Sequence, residues 1–118
     1  IKLAHSKGLG VIAKRPIANA VWRHAEKPAD SYHHEYWDRI QKLQYPFLKK
    51  PLEEATATAL RWTLSIEGIS TAIVGTTRPN RWQENAKYVA EGKLSDEEFK
   101  AIRARWDEIA DENWVGMT

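Results

Sequence analysis

Two short apolar runs separated by a helical pattern constrain the fold of this chain most strongly. The run VIAK occupies residues 11–14, and the run STAIVG occupies residues 70–75. Each is rich in β-branched residues and bounded by turn residues, as expected of a buried strand. Pro16 cannot donate a ladder hydrogen bond, so the first strand is predicted to end at about Arg15. Strands that alternate with helices pair in parallel through a right-handed crossover, which predicts an α/β fold.

Two helices are predicted on either side of the second strand. The first runs from Leu52 to a stop at Gly68, and its apolar residues recur at helical spacing. The second runs from about Pro79 to Glu91 and is followed by Gly92. The positions of this second helix that we predict to face inward are Trp82, Ala86, Val89 and Ala90.

A C-terminal helix is predicted over residues 94–113. In the sequence LSDEEF, Ser95 and Glu98 have the spacing of a capping box, and Leu94 and Phe99 have that of a hydrophobic staple. Capping boxes satisfy backbone N–H groups at a helix start, so the pattern marks where this helix begins. Its predicted apolar stripe comprises Phe99, Ile102, Trp106 and Ile109.

Residues 18–50 form a long segment without a clear period, and they are rich in aromatic side chains. Such a long connection is usually functional or carries short helices of its own, and one helix is predicted over residues 32–43. Two interpretations stay open for the aromatic rings of this loop: they border a substrate pocket, or they pack beneath the loop and hold it down. The best pocket candidates are Trp22 and His24, which lie nearest the first strand.

The 118 residues are predicted to form one segment that belongs to a larger α/β barrel or sheet. The opening IKLAHSKG resembles the last turns of a helix stopped by Gly8, so the segment is expected to have been cut from something longer. Two strands do not make a stable open sheet, and both are too apolar to stand exposed.

The composition of the chain limits the kinds of partner that we expect it to bind. The chain has 18 Lys and Arg against 16 Asp and Glu, and a net charge of +2 does not favour nucleic acid or an anionic membrane. No apolar run approaches the roughly 20 residues that span a bilayer. The absence of cysteine suits a cytoplasmic protein. Adjacent His33 and His34 point apart on any regular element, so no metal site is predicted.

The stretch GTTRPNRWQEN, residues 75–85, follows the second strand and opens a helix. Ligands of parallel α/β folds gather at such corners, where helix N–H groups favour phosphate. Gly75 allows close approach, Thr76 and Thr77 supply hydroxyls, and Arg81 lies one turn away with Arg78. An arginine fork matches phosphate oxygens.

The end of this stretch, Glu84 and Asn85, supplies the acceptors and donor that suit the edge of an adenine. The alternative is a plain helix start, in which Thr77 caps the helix, the arginines are solvated and Glu84 pairs with Arg81 at i, i+3. The residues alone favour neither interpretation.

The runs VIAKRPIANA, ALRWTLSIEG, AIVGTTRPNRWQEN and LSDEEFKAIRARW together resemble the C-terminal part of an aldo-keto reductase. The resemblance covers most of the chain apart from about residues 21–50. It implies the C-terminal portion of a (β/α)8 TIM barrel that binds extended NADPH. VIAK would be the seventh strand, STAIVG the eighth, and the last helix an extra one outside the barrel.

The resemblance also assigns cofactor-binding residues. The adenosine 2′-phosphate would be held after strand eight, the adenine would meet the glutamate and asparagine, and the end of strand seven would lie near the nicotinamide and pyrophosphate. The residues so implied are Gly75, Thr76, Thr77, Arg81, Glu84, Asn85, Ile17 and Asn19.

The chain departs from the family pattern in two places. Gly75 stands where many members have a lysine that contacts the 2′-phosphate, which leaves Arg81 and Arg78 to favour NADPH, with NAD as the alternative cofactor. Lys14 and Arg15 stand where many members have a tyrosine that stacks on the nicotinamide. A guanidinium plane from Arg15 is the substitute that the sequence offers.

The resemblance places the catalytic Asp, Tyr, Lys and His of the family in the first half of the barrel, so no catalytic residue is predicted here. The implied partners are a small-molecule carbonyl substrate and the rest of the barrel, and this segment alone is expected to be inactive. The alternative is a stand-alone nucleotide-binding or interaction module without redox activity. Open strand edges would also allow the segment to self-associate.

Overall fold

Residues 1–116 are described by a computed structural model, in which two strands and five α-helices follow one another in an α/β arrangement. Short 3₁₀ helices at Ala18–Arg23, Ser31–His33 and Pro46–Lys49 join them. The elements are α1 (Lys2–Ser6), β1 (Val11–Lys14), α2 (His34–Leu43), α3 (Leu52–Ser65), β2 (Ile69–Ile73), α4 (Arg81–Ala90) and α5 (Asp96–Ile109).

The two strands pair in parallel, as the alternation of strands and helices predicts. Val11 lies opposite Ile69 and Lys14 opposite Ile73, with an irregularity after Val11. The second strand ends at Ile73, before the predicted end at residue 75, so residues 74 and 75 belong to the loop that follows. One face of the sheet is open, since Ile12 is 58% and Ile73 59% exposed.

Helix α3 forms most of the core and agrees with the predicted helix after Leu52. Its buried side chains include Ala55, Leu60 and Thr63, which recur on one face. The Thr63 hydroxyl donates to the Pro16 carbonyl at 3.2 Å and so ties the helix to the end of β1. The chain leaves the helix through Gly68 at φ +87°, a conformation that glycine adopts without strain.

Helix α4 presents the face opposite to the one predicted. Trp82 is 68% exposed and Val89 41% exposed, and Ala86 and Ala90 are exposed as well. The prediction of an inward apolar stripe is therefore wrong for the described residues. Helix α4 packs against α3, and the positions of α4 that are half-buried are polar or amphipathic. Those half-buried positions are Arg81, Glu84, Asn85 and Tyr88.

Helix α5 begins at the predicted capping box. The Ser95 hydroxyl accepts from the Glu98 N–H at 3.2 Å and donates to the Glu98 carboxylate at 3.0 Å. Leu94 is buried beside this start. The helix is shorter than the predicted 94–113, because Ser95 is its N-cap and the backbone becomes extended at Ala110.

The segment 18–50 contains helix α2, which overlaps the predicted helix over residues 32–43 and is preceded by a 3₁₀ turn. The Asp30 side chain accepts from the Tyr32 N–H at 3.0 Å and caps that turn. Arg105 of α5 donates to the carbonyls of Leu43 at 2.8 Å and Lys42 at 3.3 Å, so it satisfies the C-terminus of α2.

Tyr45, which lies just after α2, is buried and stacks on Phe47, with ring centroids 5.5 Å apart. Burial raises the pKa of Tyr45 from 10.0 to about 12, although the charges of Arg103 and Arg105 lower it in part. The folded chain therefore keeps the phenol proton to a higher pH than the unfolded chain does.

This raised pKa predicts a loss of stability in alkali. Below pH 10, the pKa of the tyrosine in the unfolded chain, the stability that the protonated phenol allows is fully present. This stability is lost as the pH rises towards 12, because in that range the unfolded chain has released the proton and the folded chain has not. At about 1.4 kcal/mol per pKa unit the loss is on the order of 1–3 kcal/mol. Denaturant unfolding at several pH values in this window measures it. Tyr45→Phe should remove this part of the pH dependence, and an equally steep fall in that variant would contradict the prediction.

Within residues 1–116, no helix has both the length and the apolar character needed to cross a membrane.

Candidate functional site

A pocket of about 620 Å³ lies where the carboxyl ends of β1 and β2 meet. Parallel strands bring their carboxyl ends to one edge, and the loops that follow them form the walls of ligand sites there. One wall is the segment after Lys14, and another is the loop from Val74 into the first turns of α4. Tyr32 and His33, just before α2, and Leu52 and Thr56 of α3 also line it.

Most of the cofactor-binding residues predicted from the sequence line this pocket. They come from two segments that are distant in the sequence and that the strand pairing brings together. Glu84, Trp22 and His24 were also predicted but do not line it. The predicted residues that do are Ile17, Asn19, Gly75, Thr76, Thr77, Arg81 and Asn85.

The corner after β2 does not form the helix cap that the plain alternative required. The Thr76 hydroxyl accepts from the Arg78 N–H at 3.0 Å, which closes a local turn. The N-cap of α4 is Asn80, at φ +65°, and no side chain caps the helix there. Thr77 is exposed and lines the pocket. Both threonine side chains therefore belong to the pocket wall.

Arg81 and Glu84 form the i, i+3 ion pair that the plain alternative predicted, with 2.9 Å between guanidinium and carboxylate. Glu84 also lies 3.8 Å from the guanidinium of Arg78. The Arg81 side chain is only 14% exposed. The carboxylate thus holds Arg81 in place at the pocket wall, and contact of Glu84 with adenine stays a prediction.

Three polar atoms of pocket-lining side chains are buried and have no hydrogen-bond partner within the described residues. They are Nδ2 of Asn19, Nδ1 of His33 and Oδ1 of Asn85. Buried polar atoms are nearly always paired, so three orphans around one pocket indicate groups arranged for a ligand. Asn19 lies in a run of three residues with positive φ, from Ala18 to Ala20.

The pocket candidates Trp22 and His24 lie elsewhere. Within the described part of the chain, Nε1 of Trp22 is buried without a partner, while His24 accepts from Nε of Arg23 at 3.2 Å. The His24 carbonyl accepts from Nε1 of Trp37 at 3.4 Å, which joins the loop to α2. Neither residue lines the pocket described above, and their place at a substrate stays a prediction.

The pocket residues that sequence reasoning missed include Arg23, Tyr32, His33, Leu52 and Thr56. No local sequence signal marks them, and one of them, Tyr32, is brought to the pocket by a long-range contact with Arg15. Arg15 follows β1 at φ +57° and donates to the Tyr36 hydroxyl at 2.9 Å. Its guanidinium carbon also lies 5.2 Å from the centroid of the Tyr32 ring, within range of a cation–π contact. Aromatic residues of α2 and the turn before it therefore fold over the end of β1.

The pocket wall is strongly cationic. Among residues 1–116, no Asp or Glu lines it, whereas five basic side chains do. Such a wall attracts phosphates and carboxylates. Within residues 1–116, no group of three or more His, Asp or Glu is placed to hold a metal ion. The basic residues are Lys14, Arg15, Arg23, Arg78 and Arg81.

Comparison with known protein families gives a match that covers most of the chain. The family model described as the aldo/keto reductase family matches residues 1–107 of the 118 residues in the chain. The matched range contains both strands and all the residues that line the pocket. No curated protein and no solved structure matches the chain.

Proposed function

Because this chain belongs to the aldo/keto reductase family of oxidoreductases, we propose that its pocket binds NADP(H) for the reduction of aldehydes and ketones. The observation that carries the proposal is the wall itself: it has five basic side chains and no carboxylate, at the carboxyl ends of two parallel strands. A dinucleotide with a 2′-phosphate is the most highly charged of the nicotinamide cofactors. Its phosphates match this wall better than NAD does.

The 2′-phosphate is assigned to the corner after β2. Thr76 and Thr77 offer hydroxyls there, and Arg81 offers a planar fork that is already held at the wall by Glu84. The first turn of α4 adds the positive end of a helix dipole. A positioned arginine loses little side-chain entropy when it binds, so this corner is suited to discriminating NADP from NAD.

Asn85 is assigned to the adenine. Its Oδ1 is buried without a partner, and its side chain lines the pocket one turn beyond Arg81. An amide can both accept from the exocyclic amine and donate to a ring nitrogen. Ile17 and Asn19, at the end of β1, are assigned to the nicotinamide and pyrophosphate end of the cofactor.

This chain supplies the binding part of the reaction. In the proposed arrangement β1 and β2 are the seventh and eighth strands of a (β/α)8 barrel, and the rest of that barrel carries the Asp, Tyr, Lys and His. When bound, the nicotinamide supplies the hydride. The residues of this chain bind and orient the cofactor, and the segment alone has no carbonyl reductase activity. A cytoplasmic location fits the same proposal.

The substitution Arg81→Ala tests the phosphate assignment. It should weaken the binding of 2′,5′-ADP roughly 10- to 100-fold, because a charged hydrogen bond contributes about 1.5–3 kcal/mol. Binding of 5′-AMP, which lacks the 2′-phosphate, should stay nearly unchanged. Isothermal titration calorimetry with both nucleotides measures the two affinities.

A matched control is Arg103→Ala on α5. Arg103 also pairs with a carboxylate on its own helix, at 2.8 Å from Asp107, but does not line the pocket. The control should bind both nucleotides as the original chain does. Equal affinity of the original chain and of Arg81→Ala for 2′,5′-ADP would overturn the assignment.

A further inference from the structure

Arg15 lies at the pocket wall on a strained backbone. Its φ angle is +57°, in the left-handed region that arginine rarely adopts, and Ala18, Asn19 and Ala20 also have positive φ angles. A backbone of this kind persists only where the surrounding structure holds it, and it is concentrated at sites that bind ligands. The contacts that hold Arg15 therefore bear on what the pocket binds.

Tyr36 of α2 holds the Arg15 side chain from outside the pocket. Nη1 of Arg15 donates to the Tyr36 hydroxyl at 2.9 Å, and the guanidinium carbon lies 6.0 Å from the centroid of the Tyr36 ring. Tyr36 is half-buried and, within residues 1–116, is not among the residues that line the pocket, whereas Arg15 is. Tyr36 therefore reaches a ligand through Arg15.

Helix α2 is fastened to the loop that precedes it, which keeps Tyr36 in place. Nε1 of Trp37 donates to the carbonyl of His24 at 3.4 Å. The Asp38 carboxylate pairs with the ammonium group of Lys27 at 2.6 Å. Both contacts start from residues next to Tyr36 in the helix, so the part of α2 that carries the hydroxyl is held on the side of the loop.

The segment after α5 holds the same helix from another side. Arg39, one turn beyond Tyr36, donates from Nη1 to the Val115 carbonyl at 2.9 Å, and its guanidinium carbon lies 5.3 Å from the ring centroid of Trp114. Trp114 in turn meets Trp106 of α5 edge-on, with ring centroids 5.4 Å apart. With contacts to the loop and to this segment, α2 is a rigid support for Arg15.

A neutral phenol restrains an arginine differently from a carboxylate. An arginine side chain has many rotamers, and a ligand that binds it must fix one of them at a cost in entropy. The hydrogen bond to Tyr36 fixes the guanidinium of Arg15 before a ligand arrives. Because the phenol is uncharged, it does not cancel the charge of Arg15, whereas Glu84 is an anion paired with Arg81.

We propose that Tyr36 is a positioning residue that holds Arg15 for the diphosphate of the nicotinamide cofactor. This inference rests on the proposed function, which assigns the end of β1 to the nicotinamide and pyrophosphate, and deepens it. It makes α2, an element beside the pocket, one of the determinants of cofactor affinity.

The substitution Tyr36→Phe tests the proposal, because it removes the hydroxyl and keeps the ring that packs in α2. The variant should bind NADP⁺ roughly 5- to 20-fold more weakly, since Arg15 loses the hydrogen bond that fixes it. Binding of 2′-AMP, which carries the 2′-phosphate but no diphosphate, should stay nearly unchanged. Isothermal titration calorimetry measures both affinities.

A double-mutant cycle with Arg15→Gln separates positioning from a general structural role. If Tyr36 acts through Arg15, the double variant Arg15→Gln/Tyr36→Phe should bind NADP⁺ as weakly as Arg15→Gln does alone. Additive losses, or an equal weakening of both nucleotides in Tyr36→Phe, would show that Tyr36 supports the fold in general and would overturn the proposal. An unchanged affinity of Tyr36→Phe for NADP⁺ would overturn it as well.

The matched control is Tyr88→Phe. Tyr88 is also a half-buried tyrosine in a helix, but it does not line this pocket. The control should bind both nucleotides as the original chain does, and denaturant unfolding checks that each variant is folded.

The original chain distinguishes a failure of this inference from a failure of the proposed function. If it binds neither nucleotide, the proposed NADP site is overturned and the inference falls with it. If it binds 2′-AMP and NADP⁺ equally tightly, the phosphate corner after β2 stands, but the positioning proposal is overturned because the end of β1 then adds nothing to binding.

Discussion

Shortening Leu60 to alanine is expected to lower the free energy of unfolding by about 2–5 kcal/mol. Leu60 is 2% exposed and lies on the buried face of α3, the helix that contacts β2 and α4. The substitution removes apolar contacts and leaves a cavity that neighbours fill only in part. Equilibrium unfolding in urea, followed by tryptophan fluorescence, measures the loss.

Leu3→Ala is the matched control for this substitution. Leu3 also lies in a helix but is 69% exposed, so the change should alter stability by less than about 0.5 kcal/mol. A loss at Leu60 as small as that at Leu3 would mean that α3 does not form the core as described.

The second large effect is expected for Arg61→Ala, at about 2–3 kcal/mol. Arg61 of α3 donates from Nε to the Gly92 carbonyl at 2.8 Å and from Nη2 to the Lys93 carbonyl at 3.1 Å. A third donor reaches the Glu91 carboxylate at 2.9 Å. One side chain therefore ties α3 to the turn after α4, and its removal breaks three hydrogen bonds at once.

Two further variants separate the geometry of Arg61 from its charge. Arg61→Lys keeps the charge but loses the planar fork, so it should recover less than half of the lost stability. Arg103→Ala removes an exposed arginine with one i, i+4 partner and should cost less than about 0.5 kcal/mol. Full recovery by lysine would show that only the charge matters, contrary to the prediction. Urea unfolding of the three variants in parallel measures these differences.

The secondary structure could be predicted from the sequence because local signals fix it. The β-branched runs gave both strands, the helical period after Leu52 gave α3, and the Ser95 capping box gave the start of α5. These features depend on residues close together in the chain. The helix ends were less accurate, since Asn80 and Ala110 change the backbone where no strong signal appears in the sequence.

The orientation of α4 could not be predicted in the same way. Helical periodicity shows which face is apolar, but it does not show which neighbour meets it. Within the described residues α3 contacts α4, and the half-buried side of α4 carries Arg81, Asn85 and Tyr88, so Trp82 lies exposed. The pattern assigned the apolar face correctly and the buried face incorrectly.

The pocket was predicted well in one half and only in part in the other, where Ile17 and Asn19 were predicted. The corner from Gly75 to Asn85 is continuous in the sequence, and most of its predicted residues line the pocket. The opposite wall depends on a long-range contact between Arg15 and the tyrosines before and within α2. The positive φ angles at Ala18 and Ala20 also have no sequence signal, because alanine rarely adopts them. Because the sequence did not reveal those turns, it pointed to Trp22 and His24 as the candidates for a substrate pocket.

The pairing of β1 with β2 has a consequence for the order of folding. The Val11 N–H donates to the hydroxyl of Ser70, 59 positions along the chain. Closing a loop of this length costs about 3–4 kcal/mol of chain entropy, whereas α2, α3 and α5 form from local contacts. The sheet is therefore expected to form after the helices. Because the pocket walls meet at the ends of these strands, the ligand site is expected to form last. A bound ligand would therefore stabilise the strand pairing, which is the part of the fold that forms most slowly.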